Sequence, residues 1–148
     1  MRDYAISRKL RNTELLIRSM IKATLVTTQK LSIALKRAYD EPSASDGTRV
    51  LVERLWPRGV SKEHAHINLW LKDVAPSNGL RKWFNHDPQK FQEFRRRYEN
   101  ELKSQASQEA LTRLREIAKE RQLTLIFAAR DTEHSSAVIL KDLLLHSS

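Results

Sequence analysis

Asp131 and His134 stand three residues apart, just after the apolar run Leu123-Thr124-Leu125-Ile126-Phe127-Ala128, with Arg130 beside them. A carboxylate at that spacing can orient an imidazole that moves a proton near neutral pH, so His134 and Asp131 are the candidate catalytic residues. A second polar cluster follows Val50-Leu51-Val52 and holds Glu53, Arg54, Trp56, Pro57, Arg58 and Gly59. Pro57 keeps Trp56 extended, Gly59 permits positive φ, and Ser61 can cap a short helix. Arg54 and Arg58 would then flank a concave anion site, because guanidinium forks match phosphate and carboxylate. A third cluster, Lys36, Arg37, Tyr39 and Asp40, follows the alternating segment Leu31–Leu35. The candidate anion-binding set is therefore Arg54, Arg58, Arg37, Tyr39, Trp56 and Arg130.

Plainer roles stay open for the same residues. Glu53 and Arg54 could pair with Arg130 or Asp131 and merely hold strand ends. Asp131 could serve only as a helix cap, and a first-turn histidine is usually just solvated. His64 and His66 sit two apart but lack a third ligand nearby, so no metal is expected. No cofactor is expected either.

These clusters gain meaning from the elements that carry them. Segments 31–35, 49–55 and 123–128 are short and apolar and end in polar turns, as interior strands do. Alternation at Ile67, Leu69 and Leu71 suggests a further strand. Between them lie helical patterns: one from Ser61, one with Leu80, Trp83 and Phe84, and one opened by Asp87-Pro88 that carries Phe91, Phe94, Tyr98 and Leu102. A strong amphipathic helix starts near Ser107, and a last helix is capped by Asp131 or Thr132, which puts Glu133 and His134 in its first turn. Alternating strands and helices predict an α/β domain, Rossmann-like and three-layered, with a small mainly parallel sheet and helices on both faces. Strand two and the strand at 123–128 should be parallel neighbours. All three polar clusters then share the carboxyl rim, where open parallel sheets bind ligands. Glu53 and Arg54 should point to opposite faces unless the strand ends first, so Arg54 or Arg58, not Glu53, should approach Asp131 and His134.

The 148 residues suit one domain, and the absence of cysteine excludes disulfides, thiolate chemistry and a Cys-built zinc site. No apolar run reaches membrane-spanning length. The net charge of +9 is a nucleic-acid binder's number, but it is uneven. Residues 1–30 hold seven Lys/Arg against Asp3 and Glu14, so the body from 31 to 148 is only mildly basic. Residues 1–30 are expected to be a basic extension, poorly ordered or a wrongly assigned start with Met20 as the initiator. A transit peptide, or a short helix through Leu10, Leu15, Ile17, Ile21 and Leu25, is the alternative. A nucleic-acid-binding module would draw on this segment, on Arg95-Arg96-Arg97, and on Trp56 and Trp70 as stacking platforms.

The strings IALKRAYD, RVLVERLWPRGVSKE, WLKDVAPS, LRKWFNHDP, FRRRYENEL and LIFAARDTEHSSAVILKDLL occur in that order across residues 31 to 145. Together they resemble the YeaO-like branch of the bacterial domain-of-unknown-function family 488. The resemblance implies a small cytoplasmic α/β domain and supplies no activity. By the family's pattern its polar positions fall on Lys36, Arg37, Tyr39, Asp40, Arg54, Trp56, Arg58, Asp131 and His134. The family commonly has asparagine after the histidine, where this chain has Ser135. More distant members carry a cysteine nearby, which this chain lacks. Three functions stay open: binding or acting on a phosphorylated or otherwise anionic small molecule, nucleic-acid binding, and a non-catalytic interaction role.

Overall fold

The computed structural model of the protein describes residues 12–18 and 31–146. The chain divides into two units, Met1–Lys30 and Leu31–Ser148. In the first, residues 12–18 are helical, with an Arg18–Glu14 ion pair of 2.8 Å one turn apart. The readings made of Met20 and of Leu10, Ile21 and Leu25 lie outside the described residues.

In the second unit the elements run β1 (Ile33–Arg37), β2 (Thr48–Leu51), α1 (Lys62–Ala65), β3 (Leu69–Trp70), α2 (Asn78–Phe84), α3 (Phe91–Glu101), α4 (Gln105–Glu120), β4 (Leu123–Phe127) and α5 (Ser136–His146). The four strands form one parallel sheet in the order β1-β4-β2-β3. The expected adjacency holds: β4 pairs with β1 from Ile33↔Leu123 to Arg37↔Phe127, and with β2 from Thr48↔Leu123 to Leu51↔Ile126. All five β4 residues are buried, which is why that segment reads as a near-continuous apolar run, broken only by Thr124.

Side-chain alternation divides the core into two layers. Ile33, Val50, Val52, Leu123, Leu125 and Phe127 belong to the large cluster with side chains of α2 to α5. Leu51 and Ile126 face the other way, with Ala38, Trp56, Val60, Ile67 and Trp70. The fold is thus a small three-layer α/β domain with unequal outer layers: four helices on one face, short α1 and loops on the other.

Several boundaries differ from the sequence reading. β1 runs Ile33–Arg37 rather than 31–35, so Lys36 and Arg37 lie within the strand. β2 stops at Leu51, so Glu53 and Arg54 already lie in the loop. The third strand shrinks to Leu69–Trp70. The last helix begins at Ser136, not at Thr132, because Asp131 spends its carboxylate on a local turn at 131–134. The other caps follow local chemistry: Ser61 for α1, Ser77 for α2, Ser104 for α4, and Asp87 before the short 3-10 turn Pro88–Lys90 that runs into α3.

Candidate functional site

The ladder between β2 and β4 ends at the rim in an unusual way. Val52 N–H still donates to Ile126 O at 3.1 Å. The next amide along β4's direction, Ala128 N–H, donates instead to the Glu53 side chain, Oε1, at 3.0 Å. A carboxylate thus takes the place of a strand partner, and the chains part there. The loop after β2 leads to α1 on one face, while that after β4 leads to α5 on the other. Such a divergence in a parallel sheet opens a crevice at the carboxyl ends of the strands.

A cleft of about 720 Å³ occupies that position. Its walls are Ala75, Pro76, Phe84, Phe94, Ala128 and Ala129, and its polar lining includes Glu53, Arg54, Arg81, Lys82, His86, Arg130, Asp131 and His134. Of the expected residues, the structure brings Arg54, Arg130, Asp131 and His134 together here. The volume is within the usual range for small-molecule pockets, about 300–1,000 Å³.

Asp131 and His134 form a compact unit. Asp131 Oδ1 accepts from the backbone N–H of Glu133 at 2.9 Å and of His134 at 3.0 Å, and Oδ2 lies 2.9 Å from His134 Nδ1. Those backbone bonds, helped by the imidazole, hold the Asp131 carboxyl below its ordinary value. The ionised carboxylate favours a proton on Nδ1, which leaves Nε2 to meet a ligand. Phe91 braces the ring edge-on, with centroids 5.2 Å apart. Ser135 is buried, and its Oγ accepts the Val138 N–H of α5 at 3.4 Å.

The arginines divide by task. Arg54 donates from Nε to Pro76 O (2.9 Å) and from Nη2 to Ala75 O (3.1 Å). Arg37 donates to Ala129 O (2.9 Å) and Ala128 O (3.3 Å) and lies over the exposed Tyr39 ring. Each fork fastens a stretch of main chain that forms a cleft wall. Each spends its Nε and Nη2 edge on main-chain carbonyls, which leaves Nη1 as the edge open to an anion. Arg58 and Trp56 are absent from the lining. Trp56 folds back so that Nε1 donates to Val60 O at 2.6 Å, and both residues pack on the sheet face away from Phe84 and Phe94. That leaves Arg58 exposed in the turn between them, where Gly59 takes the expected positive φ of 76°.

Four lining residues carried no site role in the sequence reading. Arg81 and Lys82 come from α2, and Asn85 and His86 follow it, both with left-handed backbone (φ 49° and 56°). Two successive non-glycine residues in that region place His86 at the cleft mouth. An Asn-His pair between a helix and an Asp-Pro cap was the available signal. Among the described residues, Lys82 and Arg130 have no ion-pair partner.

Glu53 is the other surprise: Arg54 lines the cleft as expected, but so does Glu53, which was not expected to approach Asp131 and His134. Loss of hydration raises its pKa, against the Ala128 N–H bond and the attraction of Arg81 and His86. A folded-state pKa above the unfolded one means that this group favours folding most in acid and less as pH rises through the raised value. Glu53→Gln retains an acceptor for Ala128 and removes the desolvated charge. Thermal melting across pH is expected to show the variant above wild type near neutrality, with the gap closing in acid. Equal or lower melting at neutral pH would contradict this.

Of the features offered for nucleic-acid binding, most of the basic segment 1–30 lies outside the described residues, while the three arginines and two tryptophans make contacts within the domain. Arg95 pairs with Glu99 and Asp142, and Arg96 and Arg97 with Glu93, whose carboxyl they draw down to about 2. Trp56 and Trp70 are half-buried and packed edge to face, with centroids 5.6 Å apart. His64 contacts Glu41 at 3.4 Å while His66 ends α1, and no group of three potential metal ligands occurs among the described residues. No helix among them is long and apolar enough to cross a membrane.

Comparison with known proteins places this geometry in a family. The chain is 42% identical over 114 residues to the uncharacterized protein YeaO of Escherichia coli K12, covering 77% of this chain and 97% of that one. It is 40% identical over 112 residues to the uncharacterized proteins Rv3073c of Mycobacterium tuberculosis H37Rv and Mb3100c of Mycobacterium bovis, covering 76% of this chain and 92% of each. No solved structure matches the chain. A family model described as the inactive DUF488-N3 subclade matches residues 32–148, which span the whole sheet and cleft, and the chain belongs to that family.

Proposed function

We propose that this chain binds a small anionic molecule, phosphorylated or carboxylate-bearing, in the cleft at the carboxyl rim. The observation that carries this reading is the pair of uncommitted cations, Lys82 and Arg130, at the mouth of an apolar-walled crevice that also presents His134. Four Arg/Lys side chains against two acids give the lining a positive balance. The family description, inactive, supports binding without turnover. In keeping with that, the chain has no cysteine to supply a thiolate beside His134. Asp131 then orients the imidazole as a ligand contact.

Screening phosphates and carboxylates by thermal shift tests the reading. A binder present at 100 times its dissociation constant should add about 2.7 kcal/mol of stability. Lys82→Ala with Arg130→Ala should abolish that gain and leave the unliganded protein's stability within about 0.5 kcal/mol. A blank screen, or a gain that survives the double change, counts against it.

A further inference from the structure

Glu53 sits inside the cleft where an anion receptor has no obvious use for an acid. Its Oε1 takes one backbone N–H, whereas a carboxylate offers about four acceptor positions. No cation bonds to it: Arg54 is turned to the carbonyls of Ala75 and Pro76, and Arg81 donates to Asn78 at 3.3 Å. Ala75, Pro76, Ala128 and Ala129 belong to the apolar part of the lining, and Arg81 and His86 attract the carboxylate without bonding to it, so acceptor capacity remains. A desolvated carboxylate in such a place is unfavourable until donors reach it.

The geometry points to a ligand with two ends, a planar head that gives paired N–H donors to Glu53 and an anionic group held at the mouth by Lys82 and Arg130. That chemistry is an aminated heterocycle carrying phosphate, the nucleotide class. Guanine, with a ring N–H beside an exocyclic amine, is the best complement to one carboxylate, because the two parallel bonds are charge-assisted. The inference rests on the anion-binding reading above and adds the identity of the buried end. The two flat Phe84 and Phe94 side chains, stacked at 4.1 Å between centroids, contribute to the apolar wall beside which such a ring would lie.

Calorimetric titration with guanosine monophosphate, inosine monophosphate and ribose phosphate separates the two claims. Inosine lacks the exocyclic amine, and ribose phosphate lacks the head. Wild type should bind the guanosine compound roughly tenfold or more tighter than the inosine one, the worth of one hydrogen bond to a charged group. In Glu53→Gln, which keeps an acceptor for Ala128, that preference should vanish while ribose phosphate affinity holds. Equal binding of the two nucleotides by wild type, or a preference that survives Glu53→Gln, overturns the inference. Ribose phosphate binding that disappears with Lys82→Ala and Arg130→Ala would leave the anion reading standing even then. Failure of all three compounds to bind overturns the nucleotide inference outright.

Discussion

Replacing Arg49 with alanine is expected to remove about 3–5 kcal/mol of stability, the cost of stripping one partner from a buried ion pair. Arg49 is 3% exposed and Asp46 6%. Its Nη1 lies 2.6 Å from Asp46 Oδ2, and Nε and Nη2 both donate to Ala65 O at 3.1 and 2.9 Å. Asp46 also meets Lys36 of β1 at 2.8 Å and accepts Ser43 N–H, while its carbonyl accepts Thr124 Oγ1 of β4 at 2.7 Å. One node therefore ties three strands and α1 on the thinly covered face. Burial pushes the Asp46 carboxyl up, but the bonds from Lys36, Ser43 and Arg49 outweigh it and hold the group below its ordinary value. A depressed folded-state value contributes stability above the unfolded pKa and loses it as pH falls through the folded one. Urea unfolding should show a lower midpoint for the variant, with a shallower decline in acid. A change of only about 0.5 kcal/mol, as at an ordinary surface site, would show the node to be dispensable.

Arg54→Ala is expected to lower both stability and ligand affinity, although Arg54 is not assigned a ligand contact. Two hydrogen bonds from a charged donor are lost and two wall carbonyls are released, which costs about 1.5–3 kcal/mol. The segment at stake, Val74–Ser77, is otherwise held by Tyr98, whose hydroxyl donates to Val74 O, and by Glu101, which accepts from Ser77 N–H at 2.8 Å and Ser77 Oγ at 2.6 Å. With Arg54 gone, the Ala75–Pro76 wall loses its fastening on the cleft side. Arg54→Lys should not restore it, because an ammonium lacks the planar fork that spans two carbonyls. Chemical denaturation alongside calorimetry distinguishes this from a direct ligand contact: Lys82→Ala should weaken binding alone. An Arg54→Ala protein as stable as wild type would mean that the fork does not hold the wall.

The fold was legible where burial leaves a mark on sequence. The β4 run is apolar but for Thr124 because both its faces are covered, and parallel adjacency to β2 followed from helices between the strands. Asp131 and His134 were legible too, since a three-residue spacing in a turn brings their side chains together locally. The rest turns on facts that residue types do not carry. Arg37 and Arg54 bind main-chain carbonyls from distant loops, and a carbonyl has no letter in a sequence. Glu53 was set aside by strand alternation, which ceased to apply once β2 ended at Leu51. Arg58 was included as a flank of the loop after β2, but that loop folds back with Trp56 on the opposite sheet face, and Arg58 lies outside the cleft lining. Arg81 and Lys82 reach the cleft from α2 through tertiary packing, and His86 follows a left-handed turn at Asn85, neither of which residue types announce.

The two guanidinium forks carry a kinetic consequence. Arg37 and Arg54 hold both walls by bonds that need no occupant, so the cleft stands at its working width beforehand. A ligand entering it has little chain to order and no closure to wait for. Association should therefore proceed in a single step whose observed rate grows linearly with concentration, without a plateau. The positive mouth should speed encounter in dilute buffer and lose that advantage as salt is added. Departure from walls so fastened should be governed by the contacts alone, so occupancy should track the surrounding ligand concentration promptly in both directions.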